Sequence, residues 1–296
     1  MDVSIIIITY NTLRMTSDCL ESIFEKTQDI KYEVILVDNA STDGSKEFFE
    51  KDSRIRYIYL KDNIGFGKAN NAGYLHAKGK YVFLLNSDTI LINNAVKEFF
   101  AFAERSKQYE ACFGSILLNE NLTPIHSCAK FPSLCLFLKK SFNLYTKAIG
   151  LDLLKEYYDK VPEATPSIVD YITGADLFIK REVIDKYGLF NPCFFMYYEE
   201  TELQYRYRVN GYKSVIIDTP KIIHLTGKSY KAKRSLFKFR LINDSMIKYC
   251  KLCFSKNRYI ATRFLNAAIA MPYVLLYPAS LTDKKLTLKV LCGKFK

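Results

Sequence analysis

The stretch Ser4-Ile5-Ile6-Ile7-Ile8-Thr9, followed at once by Tyr10-Asn11, decides the fold class of this chain. A short, almost unbroken apolar run rich in β-branched residues suits a strand covered on both faces, as in a parallel sheet. Outward from it, residues 12–26 carry Met15, Cys19, Ile23 and Phe24 at helical spacing, and residues 34–37 form a second β run. Ser41 or Thr42 ahead of Asp43 offers a helix N-cap for a segment ending near Lys51. Residues 55–60 read as a third strand, 65–77 as a helix, 81–85 as a fourth strand and 94–106 as a helix. Strand and helix alternating four times predict an α/β fold with a doubly wound, mostly parallel sheet.

The rhythm breaks after a β run at 112–118. Residues 120–170 read as irregular or helical, with Pro124, Pro132, Pro162 and Pro166 spread through them. Short strands are expected at 171–173 and 177–179 around Gly174, helices from Arg181 and over 201–209, and a strand at 215–218.

With 296 residues, 49% hydrophobic and 25% charged, the chain is globular rather than disordered. Its net charge of +12 is unevenly placed. Residues 1–230 hold 28 Lys/Arg against 29 Asp/Glu, whereas residues 231–296 hold 15 against 2. A balanced body of residues 1–230 with a basic, apolar helical tail of residues 231–296 points to an anionic surface as partner. In the tail, Leu236, Phe239, Met246, Tyr249, Cys250 and Cys253 recur at helical spacing, and residues 264–281 are free of charge. That uncharged length is at the lower limit for a membrane span, and Asn266, Pro272 and Pro278 favour a segment lying in the membrane interface. Phe and Leu at helical spacing fit a membrane better than nucleic acid, so no nucleic-acid partner is expected.

Eight cysteines are scattered through apolar contexts, not in the dense pattern of a small secreted domain. Cys250-Lys-Leu-Cys253 is a lone CxxC without a second pair, as two thiols on one helix face would give. The sequence enters a strand directly from Met1, without a basic region or cleavage site, from which a cytoplasmic protein is expected, peripheral at the inner face of the plasma membrane.

In an open α/β sheet the ligand crevice lies beyond the carboxyl ends of the strands. Four successive β runs here end in short polar clusters: Thr9-Tyr10-Asn11, Asp38-Asn39-Ala40-Ser41-Thr42-Asp43, Asn63-Ile64-Gly65 and Asn86-Ser87-Asp88. Taken singly, each could equally be a helix cap or a turn.

These clusters, with the run Asn63 to Gly73, Thr173-Gly174-Ala175, Phe195-Met196-Tyr197-Tyr198-Glu199-Glu200-Thr201-Glu202-Leu203 and His224, resemble the family-2 glycosyltransferases of GT-A fold, in particular their rhamnosyltransferase-like branch. The resemblance covers about residues 3–230. It implies a metal-dependent, inverting transferase that moves a hexose, rhamnose first among candidates, from a dTDP- or UDP-sugar to an acceptor hydroxyl. A lipid-linked oligosaccharide or polysaccharide in cell-surface assembly is the implied acceptor. Thr9, Asn11, Asp38, Asn39, Asp43, Gly65, Gly67, Lys68, Asn70, Asn86 and Ser87 are the implied nucleotide-sugar residues, and the two glycines would let backbone approach the nucleotide. Asp88 and His224 would hold Mg²⁺ or Mn²⁺, with Ser229 following at the family's distance, and Gly174 and Asp176 would shape the sugar and acceptor loop. Glu200, or Glu199 beside it, would be the base that deprotonates the acceptor. The chain departs from the family pattern in three places. Asn86-Ser87-Asp88 stands for Asp-x-Asp, glutamates replace both aspartates of Glu-Asp-x-Asp, and Asp176 occupies a commonly apolar position. The glutamate changes leave open a second reading, a nucleotide- or partner-binding subunit without turnover.

Overall fold

The computed structural model describes residues 1–146, 150, 151, 162, 164–225 and 236–291; Ser229 lies outside them. The chain runs β1 (Val3–Thr9), α1 (Leu13–Lys26), β2 (Tyr32–Asp38), α2 (Ser45–Phe49), β3 (Arg56–Tyr59), α3 (Phe66–Tyr74), β4 (Tyr81–Asn86), β5 (Thr89–Leu91), α4 (Ala95–Arg105) and β6 (Glu110–Ser115). β7 (Cys128–Ala129), α5 (Leu134–Thr146), β8 (Ser167–Val169), β9 (Tyr171–Ile172), β10 (Asp176–Lys180), α6 (Arg181–Tyr187), α7 (Glu199–Val209), β11 (Lys213–Ile217) and β12 (Ile222–His224) follow. Helices α8 (Leu236–Cys253), α9 (Lys256–Leu276) and α10 (Leu281–Leu291) complete the described chain.

Eight strands form one sheet in the order β3-β2-β1-β4-β10-β6-β11-β8. β3, β2, β1 and β4 are mutually parallel, as the alternation predicts. β10 enters antiparallel between β4 and β6, so its amino end lies beside the carboxyl end of β4. That reversal brings the loop before β10 to the same sheet edge as the polar clusters.

The isoleucine run is buried on both faces because the pleat alternates. Ile5 and Ile7 join Leu36, Phe83 and Leu85 in a core shared with Cys19, Leu20 and Ile23 of α1 and Phe99 of α4. Ile6 and Ile8 join Val37, Leu84 and Leu177 in a second core with Ala69 of α3, Val183 of α6 and Leu203 and Tyr207 of α7. Fully burying one such side chain contributes roughly 1.5–3 kcal/mol, so this strand alone is a large share of the sheet's stability.

The segment expected to begin a helix at Ser41 or Thr42 starts later, at Ser45, and is only five residues long. Asp43 takes the anchoring role: one carboxylate oxygen accepts from the Ser45 hydroxyl (2.6 Å) and amide (3.2 Å), the other from the Leu13 amide at the head of α1 (2.9 Å). Partial burial opposes its charge, but these hydrogen bonds outweigh burial and hold the carboxyl below its ordinary range.

The three C-terminal helices pack on the body. Met246, Ile247, Tyr249 and Cys250 of α8 share a core with Phe137 of α5 and with Phe194 and Tyr198 from the loop ahead of α7. Cys250 and Cys253 are free thiols in or against that core, and no group of three or more potential metal ligands forms among the described residues. Helix α9 continues through Pro272 to Leu276 and buries one stripe, Thr262, Asn266, Ala270 and Val274. Asn266 donates to Asn243 of α8 at 3.0 Å. Away from the stripe, Phe264 and Leu276 are 71% and 83% exposed. Among the described residues α9 is the one helix long and apolar enough to cross a membrane.

Candidate active site

A cavity of about 420 Å³ opens at the sheet edge where β1 and β4 end and β10 begins. Asp88, His224, Glu199 and Glu200 all line it, so the residues named for metal and base chemistry share one chamber.

Asp88 and His224 are 136 positions apart in sequence, yet His224 Nε2 lies 3.2 Å from Asp88 Oδ1. A two-stranded ribbon joins them: β12 pairs antiparallel with β5, His224 opposite Thr89, and the Leu225 amide donates to the Asp88 carbonyl at 2.9 Å. A carboxylate and an imidazole fit one edge of a Mn²⁺ or Mg²⁺ coordination sphere, and such ions commonly take few protein ligands and complete their shell with phosphate oxygens and water. With no third His, Cys, Asp or Glu beside them among the described residues, a cation there would need the substrate's oxygens.

The glutamates open α7. Tyr197 and Tyr198 just before them both adopt left-handed backbone, at φ 72° and 67°. Such conformations cost a non-glycine residue about 1–2 kcal/mol each and persist only where surrounding structure enforces them. Here Tyr198 packs on Tyr249 of α8, ring centroids 5.6 Å apart, and Ser245 of α8 donates to the Met196 carbonyl at 2.7 Å. Gln204 ties α7 to β9 through both Ile172 backbone groups at 2.8 Å. Of the three acidic residues in the first turn, Glu202 is held by Arg206 through two hydrogen bonds of 3.0 and 3.1 Å. Glu199 is almost fully buried, one carboxylate oxygen without a hydrogen-bond partner, and burial followed by the neighbouring Glu200 charge pushes its carboxyl up to about 8. Glu200 sits beside Gly174, where an added Cβ would stand 3.7 Å from the Glu200 Cβ.

Asn39, Asn86, Ser87 and Gly174 also line the cavity. Other residues implied by resemblance face elsewhere, and the pleat explains three of them. Thr9 and Asp38 are register partners whose preceding residues, Ile8 and Val37, face the α3 core, so both point to the opposite side. Thr9 bonds Thr16 (2.9 Å) and Thr12 (3.1 Å), while Asp38 accepts from the Ser41 amide and the Tyr57 hydroxyl, each at 2.7 Å. Asp176 shares their side of the sheet. It accepts from the Ser115 hydroxyl (2.5 Å) and amide (2.7 Å), and complete burial raises its carboxyl to about 7 against those hydrogen bonds. Asn11, at φ 55°, accepts from the Thr42 amide (2.8 Å), and with Asp43 it frames the loop between β2 and α2. Lys68 is exposed and outside the lining.

Gly65, Gly67 and Asn70 are not on the cavity wall either. A Cβ on Gly65 would lie 2.3 Å from the Phe195 carbonyl oxygen, and one on Gly67 3.2 Å from Phe190. Asn70 donates to the Phe66 carbonyl (3.1 Å), and Asn71 exchanges two hydrogen bonds with the Phe190 backbone (2.7 and 3.0 Å). Their close approach is to the 190–195 segment that leads into the glutamates, not to the cavity.

Tyr10, Thr12, Asn63, Phe66, Thr173, Met196, Tyr197 and Lys238 complete the polar and aromatic lining. Tyr10 and Asn63 lay inside motifs already singled out. Lys238 comes from α8, and only the basic composition of the tail hinted at it.

An eight-stranded, mostly parallel sheet flanked by helices, with a cavity at the carboxyl ends of its parallel strands, is a GT-A fold. The profile described as Glycosyl transferase family 2 matches residues 4–155, and the chain belongs to that family. Glycosyltransferase GlyG of Streptococcus pneumoniae is 34% identical over 99 residues, 32% of this chain and 33% of GlyG, so the match spans about a third of that relative. The low-salt glycan biosynthesis hexosyltransferase Agl10 of Haloferax volcanii is 28% identical over 211 residues, 70% of this chain and 62% of Agl10. Among solved structures, GalNAc-T7 with UDP, GalNAc and Mn²⁺ superposes with a TM-score of 0.62 at 14% identity, covering 98% of this chain and 54% of that one.

Proposed function

We propose that the chain transfers a hexose from a nucleoside diphosphate sugar to an acceptor hydroxyl, with inversion and with a divalent cation held by Asp88 and His224. The observation that carries this is their 3.2 Å approach in the same cavity as Glu199 and Glu200. When bound, Mg²⁺ or Mn²⁺ supplies positive charge to the diphosphate as negative charge builds on the leaving oxygen. Glu200 takes the proton from the acceptor hydroxyl; that oxygen bonds to the anomeric carbon from one face while the bond to the diphosphate oxygen breaks on the other. Glu199, with its raised carboxyl, keeps its own proton at neutral pH, which favours Glu200 as the acceptor of the second. Tyr10, 45% exposed at the cavity mouth, offers a face for the base, and Asn39, Asn63 and Asn86 offer amides to base and ribose. Thr9, Asn11, Asp38 and Asp43 hold the two loops that frame this end.

The donor is a dTDP- or UDP-hexose, with rhamnose the first to test, and the acceptor is a lipid-linked oligosaccharide or polysaccharide. Residues 231–296 form the membrane-seeking part, placing the chain at the cytoplasmic face of an anionic membrane. The exposed apolar side of α9 beside basic residues supports that reading. Turnover of nucleotide sugars with Mg²⁺ or Mn²⁺ is the test: it should fall at least 100-fold in Asp88→Ala and Glu200→Gln. A folded wild-type protein that neither turns over a broad donor panel nor binds any nucleotide would overturn the proposal; tight nucleotide binding without turnover would favour the inactive-subunit reading.

A further inference from the structure

Three carboxyl groups, those of Asp88, Glu199 and Glu200, line the cavity, and a sugar nucleotide would bring two phosphates more. Lys238 is the one Lys or Arg in that lining among the described residues. It sits in the first turn of α8, a helix fixed to the glutamate loop by the Ser245–Met196 hydrogen bond and by the Tyr198–Tyr249 contact. Lys238 is therefore carried into the lining by the same element that buttresses the Tyr197-Tyr198 turn.

We propose that Lys238 binds a phosphate oxygen of a pyrophosphate-bearing substrate, which makes α8 part of the active site as well as part of the tail. This rests on the nucleotide-sugar reading above. An ammonium is a compact point charge suited to phosphate oxygens, and a partly enclosed site screens it less than open solvent does. Two sources carry that chemistry, the donor's diphosphate and a lipid-pyrophosphate acceptor.

The test measures affinities of the full chain for UDP, uridine and farnesyl diphosphate in Mn²⁺ buffer, comparing wild type, Lys238→Gln, Lys238→Arg and Lys251→Gln, with a thermal melt of each. Lys251 is exposed on the same helix and outside the cavity, so its variant controls for general charge. Lys238→Gln should weaken UDP binding about ten- to a hundredfold, leave uridine unchanged, and recover substantially in Lys238→Arg. The same loss confined to farnesyl diphosphate would assign the lysine to the acceptor. Equal affinities for both pyrophosphates in wild type and Lys238→Gln, or equal losses in Lys251→Gln, would overturn the proposal. Wild type that binds neither UDP nor uridine would instead remove the nucleotide-sugar reading beneath it.

Discussion

Replacing Gly65 by alanine separates two roles for the glycine-rich segment. At φ +86° and ψ 167° the residue occupies backbone space that is essentially glycine's own, and holding alanine there costs about 1–3 kcal/mol. The new Cβ would meet the Phe195 carbonyl oxygen at 2.3 Å, so this carbonyl must retreat by 0.7 Å or more to reach 3.0 Å. Retreat weakens the hydrogen bond from the Phe66 amide, now 2.8 Å, for about 1 kcal/mol more. The total is about 2–4 kcal/mol. With unfolding entropy of roughly 2.1 cal/mol/K per residue, that is a fall of about 3–6 °C in the thermal midpoint. Phe195 lies four residues before Glu199, and a displacement approaching 1 Å at a reacting group costs on the order of 100-fold in rate. Thermal melts, UDP titration calorimetry and kcat on the best donor would be measured on Gly65→Ala. Lower Tm and kcat with near-normal UDP affinity is expected. An unchanged Tm with lost UDP affinity would refute the packing argument and return Gly65 to the nucleotide.

Mn²⁺ alone should bind weakly, because Asp88 and His224 are the only two ligands proposed for it among the described residues, and UDP should tighten it by the factor by which Mn²⁺ tightens UDP; calorimetry in both orders checks this, and Asp88→Ala should abolish the coupling. Glu199 is raised from 4.5 to about 8, so between those values the unfolded chain has released a proton that the folded chain retains. Stability from this group is full below pH 4.5 and is lost as pH rises through 8; Asp176, raised to about 7, adds a slope of the same sign from 3.8 upward. Glu199→Gln should therefore flatten the fall in Tm between pH 5 and 8 without removing it, followed by scanning fluorimetry. Phe264→Glu with Leu276→Glu should abolish sedimentation with anionic liposomes while leaving Tm within about 2 °C, since both side chains are already exposed.

How much of this was legible in sequence follows the range of the forces involved. The buried strand at Ile5–Ile8, the parallel β1–β4 half of the sheet and the edge where polar residues gather are written in local periodicity, and the structure keeps all three. Asp88 was legible for the same reason: it follows directly on a strand end. Which way a strand-end residue points was not, because one step along the pleat exchanges cavity for core. Asn86 lines the cavity while Thr9, Asp38 and Asp176 bond inward. The glycine and asparagine run could not reveal that it clasps a loop more than a hundred residues away, since nothing local distinguishes close approach to protein from close approach to ligand. His224 reaches Asp88, and Lys238 reaches the cavity, only through strand pairing and helix packing between distant segments. Sequence thus determined the parallel half of the sheet and the edge where the cavity lies; tertiary structure chose which side chains occupy that edge, because direction is set by neighbours that only folding brings together.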